Sequence, residues 1–161
     1  YVRGIEAVNY RIGRLAMYLL FVLMAILMWS SISKALFTPS LWTLEMAQFL
    51  MVAYYVLGGP YTMQAGGHVR MDLFYARQSD RGRALWDAFT VFALIIYLAV
   101  LIWGAVDSTI YSLAYNERSP TAWRPYLWPI KLVMLVGFTL MLLQALSSLI
   151  RDIATLRGET I

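Results

Sequence analysis

The sequence has no cysteine, one histidine and few charges: Asp, Glu, Lys and Arg together make up 14% of its 161 residues. Without cysteine there is no disulfide, thiolate metal site, thiol nucleophile or quinone-linked thiol oxidation. A single histidine excludes bis-histidine haem ligation, which needs two ring nitrogens at membrane depth. The chain also lacks a Gly-rich phosphate loop, a metal-ligand set and a nucleophile-base pair, so the residues argue against an enzyme and imply no cofactor. What is present is apolar. The hydrophobic share is 61%, against about 45–50% apolar and about 25% charged in soluble domains. This composition belongs to a bilayer protein of one domain, with no internal repeat and no Pro/Ser/Gly-rich linker. The net charge of +4 fits anchoring at the cytoplasmic membrane face better than nucleic-acid binding.

Cutting the sequence at its charges leaves uncharged windows at 15–33, 46–67, 88–106 and 132–150. Each has close to the 20 residues that a helix needs to cross about 30 Å of hydrocarbon. Backbone amides in lipid find no water, so each span must be helical. The first window exceeds a signal-peptide core, and no small-residue cleavage site follows it, so it reads as a retained span. With their flanks the spans run at about 15–36, 43–66, 84–112 and 123–150, joined by a basic loop at 67–83 and an outer loop at 113–125. The expected fold is an all-α membrane protein with four transmembrane helices.

Basic residues set the orientation. Arg3, Arg11, Arg14, Arg70, Arg77, Arg81, Arg83, Arg151 and Arg157 fall on one side, and only Lys34, Arg118, Arg124 and Lys131 on the other. The positive-inside rule then places both termini and the basic loop in the cytoplasm, where the loop can also meet anionic lipid headgroups. Two short interfacial helices are expected there. In one, Ile5, Val8, Ile12 and Leu15 lie opposite arginines; in the other, Val69, Leu73 and Ala76 lie beside Arg70 and Arg77. Ser79 or Asp80 would cap span three. In the outer loop, Ser119 before Pro120 reads as a helix cap, while Pro125 and Pro129 predict a broken start to span four. Trp123, Tyr126 and Trp128 suit the outer membrane interface.

Ionisable residues within a membrane are functional candidates, but here they sit at the outer rim: Lys34, Glu45, Asp107 and Lys131 all end or open spans. They can snorkel into headgroups, or pair as Lys34 with Glu45 and Asp107 with Lys131. Glu45 stands out because Gln48, Tyr55, Gly59 and Thr62 share its stripe, and a polar, small-residue stripe in lipid faces another helix. A sharper reading makes Glu45 a substrate or proton ligand. No span has a charge at mid-depth, so a proton relay has no stepping stones. His68 reads as an interfacial polar residue, and Asp72 and Asp80 as charge compensation among arginines.

The stretch WTLEMAQFLMVAYYVLGGPYTMQAGGHVRMD, residues 42–72, resembles the small membrane subunit (DctQ-like) of tripartite ATP-independent periplasmic (TRAP) transporters. Trp42, Glu45, Leu57, Gly58, His68, Val69, Arg70 and Asp72 match that pattern. The later SPTAWRPYLWPIK, with Gly137 and Gln144, is similar too, in a form like that of members serving monocarboxylate, 2-oxo acid or aromatic acid systems. The resemblance implies a multi-pass subunit of a bacterial inner membrane. This subunit would brace a large multi-span partner that carries organic acids with sodium, delivered by a periplasmic substrate-binding protein. The resemblance makes Trp42, Glu45, His68, Arg70 and Asp72 candidate structural or subunit-interface residues, to which the stripe adds Gln48, Tyr55 and Gly59 and the rim charges add Asp107 and Lys131. Contact with the binding protein falls to Arg118, Trp123, Arg124, Tyr126 and Trp128. The alternative is a self-contained four-span exporter or channel with Glu45 as its titrating carboxylate.

Overall fold

The computed structural model describes residues 1–66, 77 and 79–158. Four helices make up nearly all of it: α1 (Val2–Leu36), α2 (Thr43–Gln64), α3 (Asp80–Tyr115) and α4 (Trp128–Arg157). At 1.5 Å per residue they are about 52, 33, 54 and 45 Å long, each more than the roughly 30 Å of a hydrocarbon core. α1, α3 and α4 are apolar enough to cross a membrane. The fourth helix, α2, is long enough but more polar, because Glu45, Gln48, three tyrosines, Gly58, Gly59 and Pro60 interrupt its apolar run. The chain is therefore an all-α membrane protein.

Successive helices run antiparallel. Val2, Gln64, Asp80 and Arg157 share one end of the bundle, here called basal, and the connections 37–42 and 116–127 share the distal end. α1 packs on α2, α2 on α4, and α4 on α3; α1 also touches α4. α3 is thus an outer helix held chiefly by α4, and only Ala84, Leu98, Thr109 and Ser112 of its 36 residues are buried.

The interior is made of small and polar side chains. Among the described residues Leu98 is the largest fully buried side chain, and the other buried positions include Ala16, Ala145, Ser112, Ser147, Asn9 and Gln144. Large apolar residues point outward, among them Phe21, Phe89 and Trp103, the last 77% exposed. Lipid is as apolar as leucine, so burying leucine between helices gains little there; close backbone approach and hydrogen bonds hold such helices together.

Helix ends follow local chemistry. Asn116 closes α3 in the left-handed region at φ 48°, and Gly158 closes α4 at φ 78°, a conformation that asparagine and glycine tolerate best. Ser79 is the N-cap residue of α3 with extended backbone, but its side chain makes no capping bond. Ser119 does not open a helix. It lies in a loop where Arg118 and Tyr126 form an antiparallel bridge, and α4 starts only at Trp128 with Pro129 in its first turn.

The stripe of Ile5, Val8, Ile12 and Leu15 is continuous with the first span, because α1 has no break from Val2 to Leu36. Nor does that stripe face the protein: Val8 and Leu15 are exposed, whereas Asn9, Gly13 and Ala16 are buried. Polar and small residues draw this segment onto α2 and α4. The second expected surface helix, with Val69, Leu73 and Ala76, and the candidate residues His68, Arg70 and Asp72 lie outside the described residues.

Candidate functional site

Small and polar residues carry the closest contacts between the helices. On α1, Asn9 donates from Nδ2 to Gln144 Oε1 on α4 at 2.7 Å, with both residues almost fully buried. Gly13 of α1 meets Tyr61 of α2 so closely that a Cβ there would stand 2.4 Å from the tyrosine Cβ. Gly137 of α4 meets α2, where a Cβ would stand 2.1 Å from Val56 Cγ1 and 3.0 Å from Val56 O. That carbonyl is four residues before Pro60, which has no N–H to return to it. The kink-prone turn of α2 and the bare backbone of Gly137 therefore sit against each other. At the basal end, the Arg151 guanidinium also bonds Glu6.

The stripe read on α2 divides. Glu45 is buried, 7% exposed, and its Oε2 has no hydrogen-bond partner among the described residues. Gly59 lies against Met141 of α4, its ideal Cβ position 3.5 Å from the sulfur. Gln48, Tyr55 and Thr62 face outward, Tyr55 being 64% exposed. Trp42 is the N-cap residue of α2 and is partly exposed. Near it, Thr43 Oγ1 is 3.2 Å from both Ser30 Oγ and Ser40 O, which fastens the start of α2 to the end of α1.

The rim charges do not pair as the two couples considered. Among the described residues, Lys34 and Glu45 form no ion pair. Lys131 bonds Glu117 rather than Asp107, with Nζ 2.6 Å from Glu117 Oε2. Asp107 lines the same groove between α3 and α4. Ser112 Oγ also donates to Glu117 Oε2 at 2.5 Å. Backbone geometry explains the choice: the left-handed Asn116 turns the chain so that Glu117 N–H meets Ser112 O at 3.1 Å, folding the carboxylate back over α3 and toward α4.

The outer loop is correspondingly ordered. Leu127 N–H donates to Glu117 O and Ser119 N–H to Pro125 O, at 3.1 and 3.0 Å. Arg118 donates to the Tyr126 hydroxyl, and its guanidinium lies 4.2 Å from that ring centroid, a cation–π arrangement. Arg124 adopts φ 50°, uncommon for a residue with a Cβ. Trp123, Tyr126 and Trp128 are each about two-fifths exposed.

The Lys131 ammonium and the Ser112 hydroxyl hold the Glu117 carboxyl below its ordinary value. A depressed carboxyl pKa adds stability above the unfolded value, about 4.3, and this is lost as pH falls through the folded value. We therefore expect the Leu127 amide to exchange hydrogen faster below about pH 4, after correction for intrinsic rates. Glu117→Gln should show fast exchange at every pH, and a wild-type rate in that variant would count against the clamp.

Glu117, Asn9 and Gln144 had no role in the sequence reading beyond position or resemblance. Their partners lie 14 and 135 residues away, with no periodic signal linking them.

Comparison with known proteins agrees with this architecture. Residues 10–155 match the family described as tripartite ATP-independent periplasmic transporters, DctQ component. The isethionate TRAP transporter permease protein DctMQ of Oleidesulfovibrio alaskensis is 27% identical over 110 residues, 68% of this chain and 17% of that protein. The chain thus spans about a sixth of the length of that curated relative. No solved structure matches. With a match across most of its length and a membrane fold to go with it, the chain belongs to the DctQ component family of TRAP transporters.

Proposed function

We propose that this small membrane subunit braces the large transport subunit of a TRAP-type secondary transporter that takes up an organic acid with sodium in a bacterial inner membrane. The observation that carries this reading is how the interior is used. No Asp, Glu, Lys, Arg or His lies within the uncharged windows of the spans, and the buried residues serve helix–helix contact. Such a scaffold is suited to hold a neighbour and has no ligand set for cargo at mid-depth. The relative from O. alaskensis supports a larger partner, since this chain aligns with 17% of a permease whose name joins DctM and DctQ. Membership in a transporter family gives the chain no enzymatic role.

In this reading the basal end is cytoplasmic, following the excess of arginine there. The outward face of α2, with Gln48 and Tyr55, is offered to the large subunit, with Trp42, Glu45, Gly59, Asp107 and Lys131 shaping its surroundings. The family resemblance adds His68, Arg70 and Asp72 as candidates for a subunit-interface role. The ordered distal loop, with Arg118, Trp123, Arg124, Tyr126 and Trp128, receives the periplasmic substrate-binding protein.

The test is co-expression with the candidate large subunit and purification in mild detergent. The two should copurify in equal amount, and the pure chain in liposomes should move no solute. Glu45→Ala should lower the yield of complex severalfold and leave substrate preference unchanged. Solute flux through the pure chain, abolished by Glu45→Gln, would instead identify a self-contained exporter or channel.

A further inference from the structure

A cavity of about 340 Å³ lies between α2, α3 and α4 at the basal end. Gln64 borders it from α2, Asp87 and Thr90 from α3, and Gln144, Ser148 and Arg151 from α4. It reaches into the membrane-spanning part of the bundle. Gln144 is seven residues from Arg151 along α4, a rise of about 10 Å, or roughly a third of a hydrocarbon core.

Polar atoms without partners concentrate on this side of the bundle. Gln144 is 1% exposed, and its Oε1 is taken by Asn9 Nδ2; its amide nitrogen carries two further donors. Among the described residues, Gln64 Oε1, Asn9 Oδ1 and Ser147 Oγ are buried with no hydrogen-bond partner. Ser147 is one helical turn from Gln144. The cavity wall itself is polar, with Gln64, Asp87, Thr90, Gln144, Ser148 and Arg151 on it, and a lipid chain there would face these groups with a medium that offers no bonds. Water satisfies both donors and acceptors, and the volume has room for several molecules at about 30 Å³ each.

We propose that this cavity is a water site, a hydrated notch entered from the basal face, whose waters bond Gln144 and Gln64 and complete the Asn9–Gln144 clasp inside the bilayer. The clasp holds α1 on α4, so the water is a structural component of the scaffold. The inference stands apart from the identity of the large subunit.

Because the chain has no cysteine, each introduced cysteine is its sole thiol. Ser148→Cys and Thr90→Cys place a thiol in the cavity, and Phe89→Cys places one at nearly the same depth on the outward face of α3, where Phe89 is 67% exposed. A charged, membrane-impermeant methanethiosulfonate is applied to either face of vesicles holding the chain with its natural partners. Thiolate is the reactive species and does not form in hydrocarbon, so both cavity cysteines should react from the basal face about tenfold faster than Phe89→Cys. Two cavity positions on different helices guard against one variant misfolding. Rates equal to that of Phe89→Cys at both positions would overturn the proposal. Protection of both cysteines would overturn it too, since a lipid headgroup or a partner side chain would then fill the space.

Discussion

Gly137→Ala should destabilise the bundle by about 1–3 kcal/mol, the usual cost of forcing a methyl group into a filled contact. The added Cβ would lie 2.1 Å from Val56 Cγ1 and 3.0 Å from Val56 O. A rotamer change moves only the first of these atoms. Relief from the carbonyl requires α2 and α4 to separate, and that loosens the central contact of the row α1, α2, α4, α3. Gly104→Ala is the matched control, because no atom lies within 4 Å of its Cβ position. It should be neutral or slightly stabilising, alanine being about 1 kcal/mol better than glycine within a helix. Reversible unfolding in mixed micelles compares the two. Val56→Ala should rescue Gly137→Ala only in part, since the backbone oxygen remains; full rescue would show that side-chain crowding alone keeps position 137 small. In the assembled transporter, the Gly137 variant should also reduce the amount of large subunit recovered.

Breaking the Asn9–Gln144 clasp has the second largest expected effect. Asn9→Leu or Gln144→Leu leaves one buried amide facing a hydrocarbon side chain, a loss of about 1–3 kcal/mol for the stranded group. Replacing both removes the stranded partner, so the double variant should be less destabilised than the sum of the single ones. The coupling measured by that cycle should fall near 0.6–1.7 kcal/mol, from the average to the largest value found for hydrogen bonds between membrane helices. Strict additivity would mean that the 2.7 Å contact contributes nothing specific. The clasp joins residues near opposite ends of the chain, and its loss should free the basal part of α1 first. Faster amide exchange around Asn9, with α3 and the distal loop unchanged, is the corresponding local signature.

The roles of particular residues were unevenly legible in the sequence. Glu45 stands out from the other rim charges by the stripe it shares, and it is a buried acid. Its stripe divides between two faces: Glu45 and Gly59 lie inside the bundle, whereas Gln48, Tyr55 and Thr62 turn away from the chain's own helices. Lys131 was recognised as a rim charge, but its partner was not. Asp107 is at the right depth, yet Glu117 reaches the ammonium because Asn116 reverses the backbone just beyond α3. The apolar stripe of residues 5–15 is real as a pattern, but it belongs to no separate surface helix, because α1 runs unbroken into the first span. In water an apolar stripe marks the buried side of a helix, whereas in lipid Val8 and Leu15 can remain outside, and Asn9 and Gly13 turn inward.

The sequence by itself determined that this is a helical membrane protein, and where its long apolar runs begin and end. Those properties follow from transfer of local segments between water and lipid and from the backbone's need for hydrogen bonds, both of which are written in consecutive residues. Only the tertiary structure decided how each helix is rotated, which charges meet, and that Asn9, Gly13, Gly137 and Gln144 form the seams. Rotation depends on how closely two backbones can approach, and that is a property of two distant segments at once: the bare Cα of Gly137 has a consequence only because Val56 O stands beside it.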